Sequence, residues 1–358
     1  MGAQGLDTLK AEQFSERVLG IVNDGMLALM ISVGHRVRLF DVMATLPPSS
    51  SEAIAGAAGL NERYVREWLG AMVVGGIVEY DPGGHKYTLP PEHAGALTRA
   101  AGTDNLAVQA QYIPLLAAVE KQIVACFENG GGVPYSEFGD FQRLMAEESA
   151  QVLDAALFES MLPLIDGLVG KLDTGIDVAD VGCGSGHAIN LMAERFPRSR
   201  FIGYDFSEEG IAAARAEGSA RGIGNAGFQV MDAAKLSGPA RFDFITTFDA
   251  VHDQAHPDRV LEGIAAMLRP GGTYLCVDIA ASSRLEENMA HPLGPLLYTV
   301  SCMHCMTVSL AYDGAGLGTV WSEQKALEML RAAGFTDTEV KQVEGDILNN
   351  YYVATKPT

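Results

Sequence analysis

Val178-Ala179-Asp180-Val181-Gly182-Cys183-Gly184-Ser185-Gly186 decides how this chain of 358 residues is read. A short apolar strand runs into a loop of alternating glycines, and residues 187–196 behind it have helical spacing. Glycines at a strand-to-helix turn let the backbone approach a ligand at the carboxyl edge of an open α/β sheet. A dinucleotide fingerprint wants its third glycine one position later, where His187 stands. The spacing therefore disfavours a nicotinamide cofactor.

Outward from this loop, short apolar strands alternate with helices. Segments 176–181, 201–204, 227–231, 242–248 and 273–279 have the rhythm of a parallel α/β sheet. A helix over 323–333 ends at Gly334, and 336–343 and 351–355 follow as strands without a helix between them. They predict an antiparallel hairpin at the sheet edge. Asp205 ends the second strand and Asp232 the third. A carboxylate at the first of these places can accept from both hydroxyls of a ribose, and one at the second from an adenine amino group. Asp180 adds negative charge beside the glycine loop, which suits the ammonium and sulfonium of S-adenosylmethionine and repels a pyrophosphate. Singly, Asp205 or Asp232 also reads as a helix N-cap.

The first half has another character. Residues 8–33 carry Phe14, Val18, Ile21, Val22, Met26, Leu29 and Met30 at helical spacing, a helix expected to be buried on one side. From 37 to 97 the order is helix, serine-rich turn, helix 51–58, helix 61–75, then strands 77–80 and 86–89 about the turn Asp81-Pro82-Gly83-Gly84. That is a winged-helix pattern. Arg63 and Arg66 of the second helix are balanced by Glu62 and Glu67, and the net charge of -20 repels phosphate backbones and anionic membranes. Packing or dimerisation is preferred to DNA binding. Helices are expected over 106–127 and 147–172, around the glycine-rich loop 128–140. The division predicted is 1–140, helical and winged-helix, for dimerisation and cleft cover, and 141–358, cofactor-binding, with an insertion at 281–320. No apolar stretch is expected to span a membrane, no export signal is read, and five cysteines suit free thiols in the cytoplasm.

Residues 180–186, Asp205, Asp232-Ala233 and Leu268-Arg269-Pro270-Gly271-Gly272 resemble the ordered motifs of class I S-adenosylmethionine-dependent methyltransferases. With the winged helix in front, the chain resembles small-molecule methyltransferases of the plant O-methyltransferase architecture, and a bacterial group with this N-terminal domain. The resemblance implies a Rossmann-like sheet and S-adenosylmethionine held by Asp180, Gly182, Cys183, Gly184, Gly186, Asp205, Phe206, Asp232, Ala233, Phe248 and Asp249. In such O-methyltransferases a His-Asp pair follows the fourth strand, and its histidine deprotonates the acceptor hydroxyl. His252 and Asp253 occupy that place, with Asp253 or Asp249 expected to orient the ring. The other reading of His252 is a residue that shapes the pocket, and His256 is expected at the surface.

The insertion, rich in Met289, Leu296, Leu297, Tyr298, Met303, Met306 and Leu310, reads as an apolar lid or a dimer contact. Cys302-Met303-His304-Cys305 invites a metal, but neighbours on a helix diverge and no second cluster completes a site, so no metal is expected. Tyr135 and Phe138, on the loop before the cofactor domain, are placed near the methionine end of the ligand. The expected activity is methylation of a small, apolar or aromatic acceptor at oxygen by a homodimer, with nitrogen, carbon and sulfur left open. The competing reading is a winged-helix regulator that senses S-adenosylmethionine.

Overall fold

The structure is a computed structural model that describes residues 6–358. The chain forms two compact units that meet at Pro114 and Leu115, whereas the sequence placed the division at 140 and 141. Residues 115–140 belong with the second unit because their loop is tied to its insertion. There Val133 N–H donates to Thr307 Oγ1 at 2.9 Å.

In the first unit, helix Thr8–Arg36 starts at Asp7, whose carboxylate accepts the Lys10 N–H at 3.2 Å. Helices Leu39–Thr45, Ser51–Ala58 and Glu62–Val74 follow, then the hairpin β1 (Glu79–Asp81) and β2 (Lys86–Thr88). Asp81 closes the hairpin by accepting from the N–H groups of Gly83 and Gly84, both at 3.0 Å. The core gathers on Trp68, which meets Phe40 edge-on at 5.2 Å and donates its indole N–H to the Met30 carbonyl at 2.8 Å.

Two expectations for the first helix are corrected. Its apolar side is bare over its first half in the single chain, where Phe14 is 66% and Met26 64% exposed, while Leu27, Met30 and Ile31 pack partly on the core and the residues fully buried are Ser32, Gly34 and His35. By length and composition it could also cross a membrane, because Asp24 is the one Asp, Glu, Lys or Arg between Arg17 and Arg36.

The second unit is a seven-stranded sheet. Strands β3 (Asp177–Val181), β4 (Arg200–Asp205), β5 (Ala226–Val230), β6 (Phe242–Phe248) and β7 (Leu268–Ile279) are mutually parallel, in the order β5-β4-β3-β6-β7. The hairpin β8 (Asp337–Lys341) and β9 (Asn349–Thr355) completes it, with β9 antiparallel to β7 and β8 at the edge. Alternation on β7 sends Tyr274 and Cys276 into one core and Leu275 and Val277 into the other, as a strand buried on both faces requires.

The long helices expected before the sheet are broken. The first becomes Tyr112–Ala117 and Glu120–Asn129. The second runs from Phe141 to Ala156, loosens into a π turn at Leu157–Met161, and stops near Pro163 and Gly167 before Leu168–Thr174.

Candidate active site

Strands β3, β4, β5 and β6 finish on one edge of the sheet, and most of the expected ligand residues stand there. The N–H groups of Gly182 and Cys183 donate to the Tyr204 carbonyl at 2.8 and 3.0 Å, which folds the glycine loop over β4. At Gly186 φ is +70°, and a Cβ would lie 2.4 Å from Phe228 Cε1 and 2.5 Å from Ala214. Only glycine lets helix His187–Arg195 start so close to its neighbours.

Asp205 braces this loop. One oxygen accepts the Gly184 N–H at 2.7 Å and the other the Ser207 N–H at 2.8 Å. A carboxylate has about four lone-pair sites, so each oxygen keeps one for a further donor. Two adjacent hydroxyls match that need. Burial raises the Asp205 carboxyl, and burial also pushes Asp180 up to about 7 despite the hydrogen bond from Thr246 Oγ1 at 2.8 Å. A cation beside these acids would restore their charge. Asp232 accepts the Ala234 N–H at 3.0 Å and pairs with Lys235 at 3.0 Å, so it caps a turn in this structure. Ala233 is buried behind it, and Phe206 is 45% exposed next to Asp205.

Past Phe248 the chain turns sharply, with Asp249 at φ +49° and its N–H on the Val277 carbonyl at 2.9 Å. Burial and the neighbouring Asp278 push the Asp249 carboxyl up to about 8. His252 is buried, and its Nδ1 meets Asp278 Oδ1 at 2.7 Å. The orienting carboxylate is therefore neither Asp253 nor Asp249, and that expectation is corrected. Asp278 lies two residues beyond Cys276 on β7, so the same alternation carries it to the face where Trp321 packs. Its Oδ1 also accepts from Trp321 Nε1 at 3.0 Å and from its neighbour Ile279 N–H at 2.8 Å. An acid at the end of the apolar run Leu275 to Ile279 was the signal in the sequence. Burial opposes a charge on His252, but the charge and hydrogen bond of Asp278, helped by Cys305, hold its pKa well above the ordinary imidazole value.

Asp253 accepts a hydrogen bond from the Tyr135 hydroxyl. Tyr135 also packs on Phe206 at 5.0 Å, Phe141 at 5.4 Å and His304 at 5.3 Å. It thus stands between the residue after Asp205 and the residue after His252. The insertion forms the opposite wall, pinned to the loop that carries His252. Ser309 Oγ donates to the Gln254 carbonyl at 2.8 Å, the Ala315 N–H to the Ala255 carbonyl at 2.9 Å, and the Gly318 N–H to the His252 carbonyl at 3.2 Å. His304 stacks on Phe141 at 4.0 Å, and among the described residues no group of three His, Cys, Asp or Glu is placed to hold a metal ion.

Comparison with known proteins adds to this geometry. Residues 25–99 match the family described as Rv2258c-like winged HTH domain, and residues 172–334 match the family described as Methyltransferase domain. The chain is 29% identical to nocamycin O-methyltransferase of Saccharothrix syringae over 222 residues, 57% of this chain and 75% of that one. It is 31% identical to ubiquinone biosynthesis O-methyltransferase of Leptothrix cholodnii over 110 residues, 30% of this chain and 46% of that protein, less than half the relative's length. In fold it is similar to human N-acetylserotonin methyltransferase in complex with its S-adenosylmethionine ligand, with a TM-score of 0.70, 19% identity and 100% of both chains covered. It is also similar in fold to an O-methyltransferase family protein of Burkholderia thailandensis, with a TM-score of 0.63, 15% identity and 99% of each chain covered.

Proposed function

Because this chain belongs to the S-adenosylmethionine-dependent methyltransferases that carry an N-terminal winged helix-turn-helix domain, we propose that it methylates a hydroxyl group of a small aromatic or apolar molecule. The observation that carries the proposal is the buried His252–Asp278 pair at 2.7 Å, beside the ligand edge of the sheet.

S-adenosylmethionine supplies a methyl group made transferable by a sulfonium. The chain's own residues bind it, exclude water and handle a proton. Asp205 takes the two ribose hydroxyls with the lone pairs left free by Gly184 and Ser207. Asp180 and the loop Gly182, Cys183, Gly184 and Gly186 face the amino acid end, and Phe248 and Asp249 continue that wall. Asp232, with Ala233 and Phe206, reads the adenine once its carboxylate leaves Lys235. Tyr135 shields this space from solvent through its contacts with Phe206 and Asp253.

His252 receives the acceptor's proton on Nε2 as the hydroxyl oxygen keeps the bonding electrons and becomes the nucleophile. Asp278 holds the ring through Nδ1 and stabilises the imidazolium that results. The base form grows as pH rises, because the pair favours the protonated ring. Screening hydroxyaryl compounds for S-adenosylhomocysteine release tests this. His252→Ala should lower turnover about 10²- to 10⁴-fold at unchanged S-adenosylhomocysteine affinity. Full turnover with the wild-type pH profile would refute the role.

The chain is further proposed to act as a homodimer through the bare part of helix Thr8–Arg36, since Phe14, Leu19, Val22 and Met26 stand exposed together on one element, and contiguous exposed apolar residues mark interaction surfaces. In the winged helix, Arg63 pairs with Glu67 at 2.5 Å and Arg66 with Glu62 at 3.3 Å, which supports packing over phosphate binding. All five cysteines are free thiols, which supports a cytoplasmic setting.

A further inference from the structure

His304 has no part in the proton transfer above, yet it occupies the wall of the same site. It lies in the π turn Ser301–Cys305 of the insertion, 2% exposed, with its ring flat on Phe141 at 4.0 Å and an interplanar angle of 12°. Phe138 and Tyr135 meet it edge-on at 4.6 and 5.3 Å. Burial, with the charge of nearby His252, pushes its pKa down to about 3, so the ring is neutral. A neutral imidazole has one donating and one accepting nitrogen.

The neighbours account for one of the two. Nδ1 lies 3.7 Å from Cys305 Sγ, and the Thr319 hydroxyl donates to that sulfur at 3.1 Å. Cys305 also reaches His252, so Nδ1 either donates to this sulfur or accepts its proton, and Nε2 takes the complementary role. That nitrogen is buried and has no hydrogen-bond partner. Buried polar atoms are almost always paired, and a phenylalanine would stack on Phe141 equally well. An unpartnered ring nitrogen in an aromatic cage, on a π turn of the kind frequent at functional sites, points to a ligand atom.

We propose that His304 reads a second oxygen of the methyl acceptor. The acceptor is then a planar aromatic compound with the reacting hydroxyl toward His252 and a carbonyl or further hydroxyl oxygen on the same ring system, hydrogen-bonded to His304 Nε2. The inference rests on the methyltransferase reading and adds to it the substrate's second polar group.

Calorimetry on the full chain saturated with S-adenosylhomocysteine, titrated with naphthol and with dihydroxynaphthalene isomers, tests it. At least one dihydroxy isomer should bind about tenfold more tightly than naphthol. His304→Phe should erase that difference while keeping S-adenosylhomocysteine affinity, and His304→Gln, whose amide can both donate and accept, should recover part of it. Should the phenylalanine variant fold poorly, His304→Asn, too short to reach, carries the same expectation. Equal affinities in the wild type, an unchanged preference without the histidine, or no binding of any isomer at its solubility limit overturns the proposal. Failure of S-adenosylhomocysteine to bind the wild type overturns the methyltransferase reading and this inference with it.

Discussion

Replacing Asp278 separates charge from shape at the centre of the site. One oxygen of this side chain accepts from His252 Nδ1, Trp321 Nε1 and the Ile279 N–H. Asp278→Asn can keep an oxygen at that point, so the loss of stability should stay at about 1–2 kcal/mol. Asp278→Ala leaves all three donors unpaired in the interior, and about 3–5 kcal/mol is expected. In Asp278→Asn the largest charge opposing the burial of His252 is gone, so its pKa should fall. Turnover should drop about 10²- to 10⁴-fold, and its rise with pH should move to lower pH. Because the folded pKa of His252 is raised, its stabilisation is present in full below the unfolded value of about 6.5 and is lost as pH rises through the folded pKa. The stability gap between wild type and Asp278→Asn should therefore shrink toward alkaline pH. Histidine-selective NMR titration and thermal unfolding at two pH values need no acceptor. A His252 titration unmoved by Asp278→Asn, or a stability gap that ignores pH, would show that Asp278 does not hold the charge of the ring.

Gly132→Ala would place a Cβ 1.9 Å from the Thr307 carbonyl oxygen and 2.3 Å from the Ala311 nitrogen, so the loop that carries Tyr135 must lift. A stability loss of about 1–3 kcal/mol is expected by thermal unfolding, with faster S-adenosylhomocysteine release by stopped flow; release at the wild-type rate would show that this loop does not cover the ligand. Gly186→Ala combines a left-handed φ with a clash against Phe228 and should abolish measurable S-adenosylhomocysteine binding in a filter assay. Phe14→Glu, Leu19→Lys and Val22→Glu together should convert a dimer to a monomer in sedimentation without lowering the melting temperature of the second unit, and an unaltered assembly would remove the first helix from the interface.

The sheet was legible because each strand carries its own punctuation. Gly182 to Gly186 closes β3, Asp205 closes β4, and the run Phe242 to Phe248 is β6 residue for residue. Helix ends governed by tertiary packing were less legible. The apolar spacing that suggested one helix over 147–172 continues through Leu157 and Met161, but Pro163 and Gly167 interrupt it. The partner of His252 was missed for a different reason. Sequence proximity favoured Asp249 and Asp253, while β7 brings Asp278 to the ring from 26 positions away. Tyr135 and His304 likewise meet only through the fold, since their separate segments carry no shared period.

Whether Asp205 holds the ribose of S-adenosylmethionine at the edge of β3 and β4 is read by titration calorimetry with S-adenosylhomocysteine on wild type and Asp205→Ala. The wild type should bind at one site, and the variant, shown by its circular dichroism to be folded, should bind about ten- to hundredfold more weakly, as expected for lost charge-assisted hydrogen bonds. A folded variant with wild-type affinity, or a wild type that does not bind, would exclude Asp205 from the ribose site.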